Sequence, residues 1–160
     1  METAYPFTIL GTLLIVLLVL FLSIRVGRTR LATGVKAPAM TGSEEFERAN
    51  RAHMNTVEQL ALVLPTLWIF ATQVSDLYAG IAAAIWVVSR FLYAQAYSNN
   101  PPSRATGFLI GFAVLAIMFL WSAGSLIFMG LFAIWAAWGL PVVLALTWIA
   151  DRLTRRRARG

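Results

Sequence analysis

Arg48, Arg51, Asn55 and Glu58 follow one another at intervals of three, four and three. On an α-helix that spacing gathers them on one face, as a stripe of two guanidiniums, an amide and a carboxylate. Farther along, Arg90, Tyr93 and Tyr97 repeat the three-and-four spacing, so one guanidinium and two phenols share a second face. Asn100-Pro101-Pro102-Ser103-Arg104 comes next. Its prolines cannot continue a preceding helix but suit the first turn of a new one, with Asn100 as N-cap. Arg104 then stands at a helix N-terminus, where free backbone N–H groups, the helix dipole and a guanidinium converge on a site for an anion. The plainer readings are an arginine snorkelling at a membrane interface and tyrosines anchoring a helix there. With no cysteine, the chain has neither a thiol nucleophile nor a thiolate metal ligand, and any thiol chemistry arrives with a substrate.

The elements that position these residues are apolar. Hydrophobic residues make up 59% of the chain and charged residues 12%, with a mean hydropathy of +0.74, which places it outside the soluble class. Its apolar runs are about as long as a ~30 Å hydrocarbon core requires. Spans are expected at about 5–24, 50–73, 77–97, 104–124 and 129–150, in one membrane domain covering 1–160 with a basic tail at 151–160. The first run has Glu2 before it and Arg25, Arg28 and Arg30 after it, the pattern of a retained span rather than a cleaved leader. A short turn at Ser75-Asp76 predicts that the second and third runs form an antiparallel hairpin. The nearly uncharged stretch from Arg104 to Ala150 would be ~70 Å long as one helix, so two spans are expected, broken near Ser122 to Gly130. Pro141 would kink the last helix without ending it.

Charge gives a separate test of this count. With five spans and the N-terminus outside, Arg25, Arg28, Arg30, Lys36, Arg48, Arg51, Arg104 and the tail arginines all fall on the cytoplasmic face, and only Arg90 is left over. The net charge of +6 then reports topology and contact with anionic headgroups rather than nucleic-acid binding. Within a span each charged residue costs roughly 2.5 to 3.5 kcal/mol on insertion, so Glu58 and Arg90 call for a role. Both lie ~10 Å inside the same membrane face on neighbouring antiparallel helices, which predicts an Arg90–Glu58 partnership, either an ion pair joining two helices or part of a site. Thr41 and Glu44 fit a capping box, and Glu44, Glu45 and Glu47 suit the positive end of a helix.

Together these residues resemble the MAPEG family, the membrane-associated proteins of eicosanoid and glutathione metabolism. The resemblance rests on Arg51-Ala52-x-x-Asn55-x-x-Glu58 and on Arg90-x-x-Tyr93-x-Gln95-x-Tyr97, followed seven residues later by Arg104. It implies an all-α antiparallel helical bundle with a four-helix core, here with a fifth helix, assembled as a homotrimer with glutathione as co-substrate between subunits. Glutathione carries two carboxylates, one ammonium and a thiol. On that reading Arg51, Arg90 and Arg30 of the first loop take carboxylates, with Arg28 competing for the last place and Arg48 and His53 close by. Glu58 accepts the ammonium, while Asn55, Tyr93 and Tyr97 add neutral hydrogen bonds. Arg104 matches the family's thiolate-stabilising arginine and needs no metal. The thiolate would attack a lipophilic acceptor or a hydroperoxide entering from the bilayer.

Departures bear on the acceptor. Gln59 stands where an aromatic often follows the motif glutamate, the following proline comes only at Pro65, and Phe108 replaces a possible phenol. The expected function is a glutathione transferase or peroxidase in a bacterial inner membrane, with the site and C-terminus cytoplasmic. A noncatalytic lipid-binding member of the same fold is the alternative. A transporter is disfavoured because no internal repeat or paired half-helices are present.

Overall fold

A computed structural model describes residues 4–99 and 101–157, and every regular element in it is helical. In hydrocarbon a backbone must satisfy its own hydrogen bonds, which is why the apolar runs become helices. Four are long and apolar enough to cross a membrane: α1 (Pro6–Thr33), α2 (Glu44–Gln73), α3 (Asp76–Asn99) and a final stretch, Pro102–Ile149. That stretch takes in most of a 3-10 turn at Pro101–Arg104, all of α4 (Ala105–Ile134), a π-helical segment at Trp135–Gly139, and the first part of α5 (Leu140–Arg157). The N-cap expected at Asn100 lies outside the described residues.

The chain divides into two compact units, one up to Ser122 and one from Ala123 on. In the first, α1, α2 and α3 pack on one another around Ile15, Leu18, Leu22, Val63, Leu67 and Trp86, with Met118 of α4 in the same core. Small residues set the spacing. At Gly107 a Cβ would come within 2.6 Å of the Tyr93 backbone nitrogen, so only glycine allows α4 to approach α3 this closely.

Helix ends follow local chemistry. The α1 helix starts with Pro6 in its first turn and continues past the apolar run through Arg25, Arg28 and Arg30, ending at Gly34 with φ of 71°. The Thr41–Glu44 capping box does not form. Instead Glu47 accepts the Gly42 N–H at 2.9 Å, while Glu44 is drawn to Arg48, one turn along its own helix. At the opposite end of the bundle Asp76 begins α3 and also accepts the N–H groups of Phe7 and Thr8, at 3.1 and 2.8 Å, and the Thr8 hydroxyl at 2.7 Å. One carboxylate thereby ties the starts of two helices together.

The break expected near Ser122 to Gly130 is helical, since α4 runs through it to Ile134. In an apolar medium, leaving backbone groups unpaired costs more than the weak helix propensity of two serines and two glycines. The irregularity comes later. Pro141 has no N–H to donate to the carbonyl four residues back, and the π segment precedes it, with the Leu140 N–H bonded to the Trp135 carbonyl, five residues back.

Candidate functional site

Antiparallel packing brings the C-terminal turns of α1, the N-terminal turns of α2, the C-terminal turns of α3 and the 3-10 turn to one end of the first unit. Contacts between helices fix that end: Arg25 of α1 donates to the Gln95 amide oxygen of α3 at 2.5 Å, and Asn55 of α2 donates to the Tyr93 hydroxyl at 2.7 Å.

The polar stripe of α2 borders two cavities. One, of about 320 Å³, is lined by Met40, Thr41, Asn50, Arg51, Asn55 and Glu58, among others. The other, of about 240 Å³, is lined by Glu44, Glu47, Arg48, Arg51 and Tyr97. Arg51 is exposed and faces both. From Tyr97 an aromatic path leads in two directions. Its ring lies 5.6 Å from that of Tyr93, and the Arg104 guanidinium sits 5.2 Å from its centroid on the other side of the helix junction. Arg48, Arg51, Asn55, Glu58, Tyr93, Tyr97 and Arg104 are therefore connected through shared cavity walls, one hydrogen bond and ring contacts.

Arg90 behaves differently from expectation. It is 1% exposed, and its Nη2 and Nε lie 3.0 and 3.4 Å from the Thr56 hydroxyl, while its guanidinium covers the Tyr93 ring at 4.0 Å. The expected pairing with Glu58 is absent: among the described residues the one ion pair is Arg48–Glu44. Helical rotation explains this, because Thr56 and Glu58 are two residues apart and thus ~200° apart around α2. Thr56 faces α3 in the core, whereas Glu58 is exposed in the cavity wall. Arg90 supports Tyr93 from behind and lines neither cavity.

Arg30, expected in the first loop, lies instead in the last turn of α1, where it donates to the Ala39 carbonyl of the following loop at 2.8 Å and lies 4.2 Å over the ring of buried Phe46. Arg28 is exposed on the same helix. His53 is half-buried, ~200° around α2 from Arg51, and lines neither cavity. Phe108 is exposed at the start of α4 and stacks on Phe112 with centroids 6.1 Å apart.

Thr56 and Gln95 are contacts that the sequence reading missed. Gln95 lay inside a recognised motif but had no role, and Thr56 carried no signal, because its partner is on another helix. Among the described residues no group of three His, Asp or Glu side chains is arranged to hold a metal.

Crossing-length helices packed antiparallel, with polar and charged residues gathered at one end, define a multi-pass α-helical membrane protein. The family model that matches residues 8–124 is that of the MAPEG family. An uncharacterized protein of Synechocystis is 46% identical over 100 residues, which cover 62% of this chain and 73% of that protein. Human microsomal glutathione S-transferase 2 is 35% identical over 103 residues, covering 64% and 70% respectively. Leukotriene C4 synthase of Cavia porcellus is 36% identical over 93 residues, covering 58% and 62%. The chain belongs to the MAPEG family.

Proposed function

We propose that this protein is a glutathione transferase of the membrane, working as a homotrimer, which holds glutathione as the thiolate and transfers it to lipophilic electrophiles. The observation that carries the reading is the position of Tyr97, which walls a cavity with Arg48 and Arg51 and carries the Arg104 guanidinium beside its ring. Two similar proteins, microsomal glutathione S-transferase 2 and leukotriene C4 synthase, support it.

In this scheme Arg51 and Arg48 take one carboxylate of the tripeptide, and Glu58 accepts its ammonium in the adjoining cavity. Asn55, through Tyr93, orients the peptide. The second carboxylate goes to Arg30 or Arg28 at the C-terminal end of α1 of a neighbouring subunit, and His53 stands beside the site without a chemical part. Arg90 keeps Tyr93 in place. Arg104 donates to the sulfur. Lowering a thiol pKa from ~8.5 by two units takes about 2.7 kcal/mol, and one charge-assisted hydrogen bond contributes roughly 1.5 to 3 kcal/mol. One arginine is therefore sufficient without a general base or metal.

With an aryl chloride the thiolate sulfur forms the new C–S bond and chloride leaves. With a lipid hydroperoxide, two glutathiones are consumed to give the disulfide, an alcohol and water. The positive-inside pattern of Arg25, Arg28, Arg30 and Arg104 supports a site on the cytoplasmic face, and the membrane in this reading is a bacterial inner membrane.

The test is to titrate the purified protein with glutathione while following thiolate absorbance, then add a chloronitrobenzene or a lipid hydroperoxide. Binding with thiolate formation and turnover is expected. Lipid binding with no glutathione affinity would instead make the protein a noncatalytic member of the fold.

A further inference from the structure

The loop 34–43 joins α1 to α2 at the site end of the first unit, and two attachments hold its middle. Arg30 of α1 donates through Nη1 to the Ala39 carbonyl at 2.8 Å, with its Nη2 3.9 Å from the Met40 sulfur. Farther on, the Gly42 N–H donates to the Glu47 carboxylate of α2 at 2.9 Å, and Gly42 takes a φ of 127°, a conformation that favours glycine. Met40 and Thr41 stand between these attachments. Both line the cavity of about 320 Å³ that Arg51, Asn55 and Glu58 wall from α2. A loop fastened on either side of the residues it presents has met its ordering cost before a ligand arrives, which favours selective binding.

The walls of this cavity match one end of a peptide. Arg51 and Glu58 are seven residues apart, ~10 Å along α2, and their long side chains reach toward a group placed between them. A group with ammonium and carboxylate on one carbon meets both charges at once. In glutathione only the γ-glutamyl end has that pair; the glycine end has a carboxylate and no ammonium. Met54 shares the helix face of Arg51, Asn55 and Glu58 and lines the same cavity, while Met40 lines it from the loop. Flexible thioether side chains on both walls suit a methylene stem, and Thr41 adds a hydroxyl to the loop side.

We propose that Met40 and Thr41 determine the specificity of the glutathione site: Met40 and Met54 bracket the methylene stem of the γ-glutamyl end, and the Thr41 hydroxyl donates to its carboxylate. The proposal rests on the transferase reading and adds to it the part of the chain that measures the length of the thiol peptide. Each methylene buried corresponds to about fourfold in affinity, ~0.8 kcal/mol. One hydrogen bond corresponds to about fivefold, ~1 kcal/mol.

The experiment titrates the full chain in detergent, by calorimetry, with glutathione and with the analogue that carries β-aspartyl in place of γ-glutamyl, the same charges on a stem one methylene shorter. The natural protein binds glutathione about fourfold more tightly than the analogue. Met40→Ala weakens glutathione and removes that preference, because the contact that reads the stem is gone. Thr41→Val weakens glutathione about fivefold, and Thr41→Ser restores it. Gly42→Ala strains the loop at its positive φ without entering the cavity, and it weakens glutathione as well. All these substitutions fall on exposed loop positions, so the helical circular-dichroism signal stays that of the natural protein. Equal affinity for the two peptides, glutathione binding indifferent to Met40→Ala and Thr41→Val, or an equal loss in Thr41→Ser would overturn this proposal and leave the transferase reading standing. Failure of the natural protein to bind either peptide would overturn both.

Discussion

A buried guanidinium needs partners, and Arg90 has the Thr56 hydroxyl and the Tyr93 ring. Thr56→Val keeps the shape and removes the acceptor. Because hydrogen bonds to charged groups contribute roughly 1.5 to 3 kcal/mol, the variant melts earlier in detergent by a corresponding amount. It also weakens glutathione binding, as Tyr93 loses the support behind it; a melting curve and affinity equal to the natural protein's would remove Arg90 from the positioning role. Glu58→Gln weakens glutathione binding by removing the negative charge that faces the ammonium in the proposed site, and a binding isotherm reads this directly. The stripe Arg48, Arg51, Asn55 and Glu58 was legible in sequence because its members sit on one helix, whose period is fixed. The partner of Arg90 was not. Depth along two antiparallel helices favoured Glu58, but rotation about α2, which depends on which face meets α3, delivered Thr56.

Among the elements, α4 is held against α3 by the absence of a side chain at Gly107. Gly107→Ala puts a methyl within 2.6 Å of backbone nitrogen, which cannot yield as a flexible side chain would. Overpacking of this kind costs about 1 to 3 kcal/mol. It also shifts Arg104, three residues earlier, away from Tyr97, so lower stability and reduced thiolate formation are expected together. At the far end, Asp76→Ala frees the N–H groups of Phe7 and Thr8. Faster amide hydrogen exchange in the first turn of α1 is the expected result, with exchange in α2 unchanged. Hydropathy made the helices legible, since apolar runs reveal where a chain enters lipid. It did not reveal the continuation through Ser122 to Gly130, because residues that break helices in water are tolerated where backbone has no other partner.

At the scale of the whole molecule, the proposed recognition of glutathione by cations of two subunits calls for assembly. The proposed trimer has a mass three times the 17.6 kDa of one chain, apart from detergent, and light scattering on the purified protein checks it. The family was legible because its two motifs carry chemistry in fixed order along the chain. Everything in the functional reading converges on a glutathione sulfur held negative beside Arg104. The most direct measurement is the pH titration of thiolate absorbance for glutathione bound to the natural protein and to Arg104→Ala. The natural protein is expected to titrate about two units below the ~8.5 of a free thiol, with the variant binding glutathione yet titrating near the free value. A bound thiol that titrates alike in both proteins would contradict the account.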